Sequence, residues 1–152
     1  EAMVGKAIGE KRRDALQQTV KLTLRWSVVF ALGFTLVYMI AGPMIIALLT
    51  DIVEIKEVAL RYLPWMIALP LVSVWCFLYD GIYVGATRAR EMRNIMVLSV
   101  LFVFLPAWYV LQPLGNDGLW LAFLLFMASR GIGMHLGYKK YVLRLAYDIH
   151  IQ

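Results

Sequence analysis

Four long apolar runs, separated by short charged or turn-rich links, set the outline of this chain. Trp26 to Leu49 carries no charge and, at about 20 residues per crossing, is long enough to span a bilayer even when tilted. Tyr62 to Thr87 is apolar except for Asp80, and Arg88, Arg90 and Arg93 close it. Ile95 to Leu111 ends in Gln112-Pro113-Leu114-Gly115-Asn116-Asp117-Gly118, which predicts a hairpin loop. Leu119 to Tyr138 carries Arg130 and hands over to Lys139-Lys140 and a tail whose Tyr141, Leu145 and Ile149 predict a surface helix. Ahead of these runs, Glu10-Lys11-Arg12-Arg13-Asp14 is a charged link, and Glu1 to Gly9 reads as the end of a helix begun earlier. The expected bounds are 1–9 for that helix end, then 15–50, 52–88, 92–112 and 118–147, the last including the tail. Gly42-Pro43 predicts a kink or local unwinding, Pro64 and Pro70 predict bends, and Asp51 with Glu54 predicts an amino-terminal capping pair.

Composition turns long helices into membrane spans. The 152 residues are 62% hydrophobic and 16% charged, with a mean hydropathy of +0.73, against roughly 45–50% apolar and 25% charged in soluble domains. The fold class is therefore an all-α membrane protein with four complete transmembrane helices and the end of a preceding one. The net charge of +5 does not point to nucleic acid, because the basic residues sit in short clusters between apolar runs rather than along one face. Lys6, Lys11, Arg12, Arg13, Lys21 and Arg25, then Arg88, Arg90 and Arg93, then Lys139, Lys140 and Arg144, all fall on one side of a four-span topology. Only Lys56 and Arg61 fall on the other, so both ends of the chain are expected in the cytoplasm.

Asp80 lies eight residues before Arg88 and Arg130 nine before Lys139, which puts both about 12–14 Å inside the basic boundary. An unpaired charge at that depth is expensive, so the two are expected to pair or to share a polar cavity between the second and fourth runs. Ser73, Cys76, Phe77, Asp80, Tyr83, Val84 and Thr87 share the Asp80 face by three-four spacing, a mixed polar and aromatic strip. Tyr79 and Tyr83 could offer π faces to a cationic compound, and Met127 and Met134 beside Arg130 are soft enough to line an adaptable pocket. Gly81 with Gly85, and Gly133 with Gly137, place small residues four apart and permit close helix contact. The single cysteine, Cys76, excludes an internal disulfide and reads as a small buried hydrophobe. His135 and His150 are too few and too separated for a metal site, and no nucleotide loop or catalytic serine pattern accompanies them. No cofactor, metal or enzymatic activity is expected.

Two stretches together resemble a known family. Gly5-Lys6-Ala7-Ile8-Gly9 before a charged link resembles the glycine motif that ends the second helix of each lobe in the multidrug and toxic compound extrusion (MATE) family. Asp80-Gly81-Ile82-Tyr83-Val84-Gly85-Ala86-Thr87-Arg88, with Met92-Arg93-Asn94, is similar to the tenth-helix signature of its DNA-damage-inducible F (DinF) branch. Leu114-Gly115-Asn116-Asp117-Gly118-Leu119-Trp120 resembles that branch's last hairpin, so the likeness covers nearly the whole chain.

The resemblance implies a twelve-helix antiporter of two six-helix lobes, resident in a bacterial inner membrane. This chain would supply the end of helix eight and helices nine to twelve, with an amino-terminal lobe of the same protein as its partner. Such proteins export organic cations and other amphipathic compounds against an inward flow of protons or sodium. Ala89 follows Arg88 where the sodium-coupled branch has a glycine, so that branch's cation-ligand role is not simply carried over to Asp80. The expected function is multidrug efflux with Asp80 as coupling candidate and Arg130 as its tuner. A lipid-linked sugar flippase of a related family and a small membrane scaffold subunit are the alternatives.

Overall fold

A computed structural model describes residues 1–10 and 12–143, and all of its elements are helical. They are α1 (Ala2–Gly9), α2 (Arg13–Leu49), α3 (Val53–Gly85), α4 (Ala89–Leu114) and α5 (Asn116–Tyr141). The last four are each long and apolar enough to cross a membrane. At about 1.5 Å per residue, α2 is roughly 55 Å long and α3 roughly 50 Å, both well beyond a hydrocarbon core of about 30 Å.

The prolines do not break their helices. Helix α2 runs through Pro43 to Leu49 without local unwinding, and α3 runs through both Pro64 and Pro70. Pro70 cannot donate to the carbonyl four residues back, and Thr35 of α2 gives its hydroxyl hydrogen to the adjacent carbonyl of Ile67 at 3.2 Å. Helix α4 accommodates Pro106 by a π-helical turn over Val100–Phe104, closed by the Leu105 amide on the Val100 carbonyl. That wider turn sets Phe104 against Phe126 of α5, ring centroids 5.9 Å apart and planes inclined at 65°.

Three link readings are corrected. Asp51 and Glu54 form no capping pair: α3 starts after Ile52 with no side-chain cap, Thr50 Oγ1 accepts from the Ile52 amide, and Asp51 faces Lys56 at 3.7 Å. The predicted loop of 112–118 is mostly helical, a 3-10 turn over Gln112–Leu114 followed by α5 from Asn116. The reversal is made at Gly115, whose φ of 59° and ψ of −131° only glycine adopts readily. Helix α4 begins at Ala89, three residues ahead of the expected 92. The surface helix expected from Leu145 and Ile149, with Arg144, falls outside the described residues, as do Lys11 and His150.

Helix α3 is the hub. It packs along α2 on one side and α5 on the other, while α4 packs on α5, so α2 and α4 flank a more enclosed α3–α5 centre. Because α4 returns between them, α3 and α5 run parallel, and their contacts share one register: Trp65 Nε1 to Asp117 Oδ1 at 2.8 Å, Arg130 to Asp80, and Tyr83 to the Met134 carbonyl. Val4, Leu16, Ala86 and Val142 belong to one buried cluster. The ends of α1, α3 and α5 and the start of α2 therefore meet at the same end of the bundle, the end that carries the basic clusters.

Candidate functional site

The site lies on the α3–α5 seam. Helix α3 enters it with Cys76, Tyr79, Asp80 and Tyr83, one helical turn apart along the face that meets α5. Helix α5 answers with Met127, Arg130, Met134 and His135. The backbones come close at Gly131, where an added Cβ would sit 3.3 Å from both Trp75 Cβ and the Cys76 amide nitrogen. That approach brings a short acid within reach of an arginine on the neighbouring helix.

Arg130 Nη2 donates to both carboxylate oxygens of Asp80, at 2.8 Å to Oδ1 and 2.6 Å to Oδ2. The side chains are only 12% and 21% exposed, so the attraction acts with little solvent screening. Cys76 Sγ lies 4.0 Å from Asp80 Oδ2. The geometry is not a fork. One guanidinium nitrogen serves both oxygens, and Arg130 Nε is buried without a hydrogen-bond partner among the described residues. The pair is neutral as a unit, yet Arg130 keeps donor capacity that Asp80 does not use.

Beside it, Tyr79 Oη is hydrogen-bonded to His135 Nδ1, with the rings edge to face at 5.6 Å and Tyr138 closing the other side of Tyr79. Tyr83 is fully buried and donates to the Met134 carbonyl at 2.9 Å. Gly137 makes room for that hydroxyl, since a Cβ there would lie 2.6 Å from it.

Several sequence readings are thereby relocated. Tyr83 offers no π face to a ligand in this conformation, because its ring is enclosed by protein. Met127 and Met134 are core residues and line neither cavity of the seam nor of the α2 side. The polar strip does not form one surface. Ser73 and Phe77 turn towards a cavity of about 730 Å³ among α1, α2 and α3, while Cys76, Asp80 and Tyr83 face α5. Residues at three-four spacing cover an arc of about 120°, and a helix held between two partners divides that arc between them. Of the glycines, Gly85 takes the start of α1, with a hypothetical Cβ 2.6 Å from the Glu1 carbonyl, while Gly81 has only loose contact there. Gly133 faces Ile95 of α4.

His135 is the member of the site that sequence reasoning missed. As a metal ligand it stands alone, but like Asp80 and Arg130 it is an ionisable group inside an apolar span, and that is the signal it carries in the sequence. The Trp65–Asp117 bond had no signal in the sequence, because it depends on the register of α3 against α5.

The chain matches the family model MatE over residues 1–109. It is 42% identical over 141 residues to DNA damage-inducible protein F of Escherichia coli (strain K12), an alignment covering 93% of this chain and 30% of that protein. The chain thus spans about a third of that relative's length. No solved structure matches.

Proposed function

From the premise that this chain belongs to the MatE family, we propose that it is part of a membrane antiporter that exports organic cations or amphipathic compounds in exchange for protons or sodium. The observation that carries the reading is the Asp80–Arg130 pair, two opposite charges held at 2.6–2.8 Å on parallel spanning helices. In such surroundings the carboxylate stays charged only beside a cation, and Arg130 is that cation in this conformation. Any rearrangement that draws α3 away from α5 leaves Asp80 in need of a substitute, which a proton, a sodium ion or a cationic cargo can supply. The arrangement therefore supports an exchange in which binding at Asp80 and separation of the helices are favourable only together. The aromatic and hydroxyl lining of the α1–α2–α3 cavity, with Phe30, Phe34, Tyr38, Thr23 and Ser27, supports amphipathic cargo, and its volume lies in the range of small-molecule sites. We assign the basic end of the bundle to the cytoplasm of a bacterial inner membrane, on the bias of short basic loops.

The test is accumulation of rhodamine 6G in efflux-deficient cells expressing the full-length protein, with the proton and sodium gradients collapsed separately. Wild type is expected to lower accumulation until one of the two gradients is removed. Asp80→Asn is expected to abolish efflux, and Arg130→Lys to retain part of it. Full efflux by both Asp80→Asn and Arg130→Gln, at normal expression, would refute the assignment of the pair.

A further inference from the structure

A second cleft, of about 340 Å³, runs along the α3–α5 seam and has no part in the exchange argued above. Leu71, Val72 and Trp75 wall it on α3, Ala128 and Ile132 on α5, and Tyr79 with His135 closes one end. Its walls are exposed: Ile132 is 60% accessible, and Trp75 and Leu71 nearly half. On α5 the stripe Ala128, Ile132, His135 recurs at three-four spacing, and its next member is Lys139, exposed and in no ion pair among the described residues. Ala128 to Lys139 covers about 16 Å, half of a hydrocarbon core of roughly 30 Å. The trough, with the α5 stripe continued beyond it to Lys139, thus changes as one leaflet does, from hydrocarbon to a hydrogen-bonding pair to a cation.

We propose that this trough binds an anionic phospholipid from the leaflet on the basic side of the bundle. One acyl chain lies along Trp75 and Ile132, the glycerol ester meets Tyr79 and His135, and the phosphate meets Lys139. In the tautomer whose Nδ1 accepts from the Tyr79 hydroxyl, His135 carries its hydrogen on Nε2 and can donate it to an ester carbonyl. The charge favours a net anionic headgroup over a zwitterionic one, since a lysine near an anionic surface strengthens association about fivefold.

The experiment is native mass spectrometry of the full-length protein titrated with phosphatidylglycerol and with phosphatidylcholine of the same acyl chains. Phosphatidylglycerol is expected to bind about fivefold more tightly. Lys139→Gln is expected to erase that preference, while Lys21→Gln, exposed on α2, leaves it unchanged. Ile132→Trp, which fills the trough from an exposed position, is expected to remove retention of both lipids without moving the thermal unfolding midpoint, and Leu71→Trp on the opposite wall provides the same loss independently. Undiminished retention in both tryptophan variants, or a preference indifferent to Lys139→Gln, overturns the proposal. So does displacement of the lipid by millimolar inorganic phosphate, or low accessibility to dissolved oxygen at a nitroxide attached to Ile132→Cys, which would mean that protein covers the trough.

Discussion

Replacing Arg130 by leucine removes one charge of a pair whose members are 88% and 79% shielded and whose contacts are 2.6 and 2.8 Å long. An orphaned charge in such a setting destabilises by about 3–5 kcal/mol in soluble proteins. Helices that separate within a micelle find other polar partners, which lowers the expectation to about 2–4 kcal/mol. Asp80→Leu should do the same from the other side, leaving the guanidinium without its acceptor. The double variant Asp80→Leu/Arg130→Leu removes both charges and also the unpartnered Arg130 Nε, so it should lie within about 1 kcal/mol of wild type. The coupling, double minus the sum of singles, is then roughly −3 kcal/mol or beyond. Reversible unfolding of the full-length protein in mixed detergent micelles, followed by far-ultraviolet circular dichroism, measures all four corners of the cycle. Additivity within about 0.5 kcal/mol would mean that the two side chains do not stabilise one another, and the physical basis of the site would be gone.

Gly137→Ala drives a methyl to 2.6 Å from the Tyr83 hydroxyl and should cost about 1–3 kcal/mol in the same assay; in a Tyr83→Phe background the penalty should shrink to a fraction. Thr87 holds a φ of 57° at the α3–α4 turn, where the Arg88 amide reaches back to the Tyr83 carbonyl and the Thr87 amide to that of Val84. A β-branched residue is strained there, so Thr87→Gly should raise stability by about 1 kcal/mol, and a drop instead would show that its hydroxyl bond to the Ala86 carbonyl outweighs the strain. Trp65→Phe removes the indole hydrogen bond that ties α3 to the start of α5, and amides from Asn116 to Leu119 should exchange about fivefold faster while those near Asp80 stay unchanged.

Much of this protein is written in one dimension. Apolar length separates bilayer spans from soluble helices because lipid leaves backbone groups no partner outside the helix, and Trp26–Leu49 or Ile95–Leu111 needs no neighbour to make that choice. Equal depth of Asp80 and Arg130 is likewise countable, since rise per residue converts sequence distance from the basic links into height. Azimuth is what the count leaves open. Whether Tyr83 meets ligand or core, whether Phe77 shares a surface with Asp80, and whether His135 has a partner depend on how α3 is rotated between α2 and α5. That rotation is set by where backbones approach most closely, at Gly131 and Gly85, and by the single register in which Trp65 and Asp117, Asp80 and Arg130, and Tyr83 and Met134 are satisfied together. Caps and turns escaped for the related reason that packing decides their details: the α4–α5 hairpin tightens to one glycine because α4 and α5 continue to pack on each other up to it. Height came from the chain alone, and facing came from the company each helix keeps.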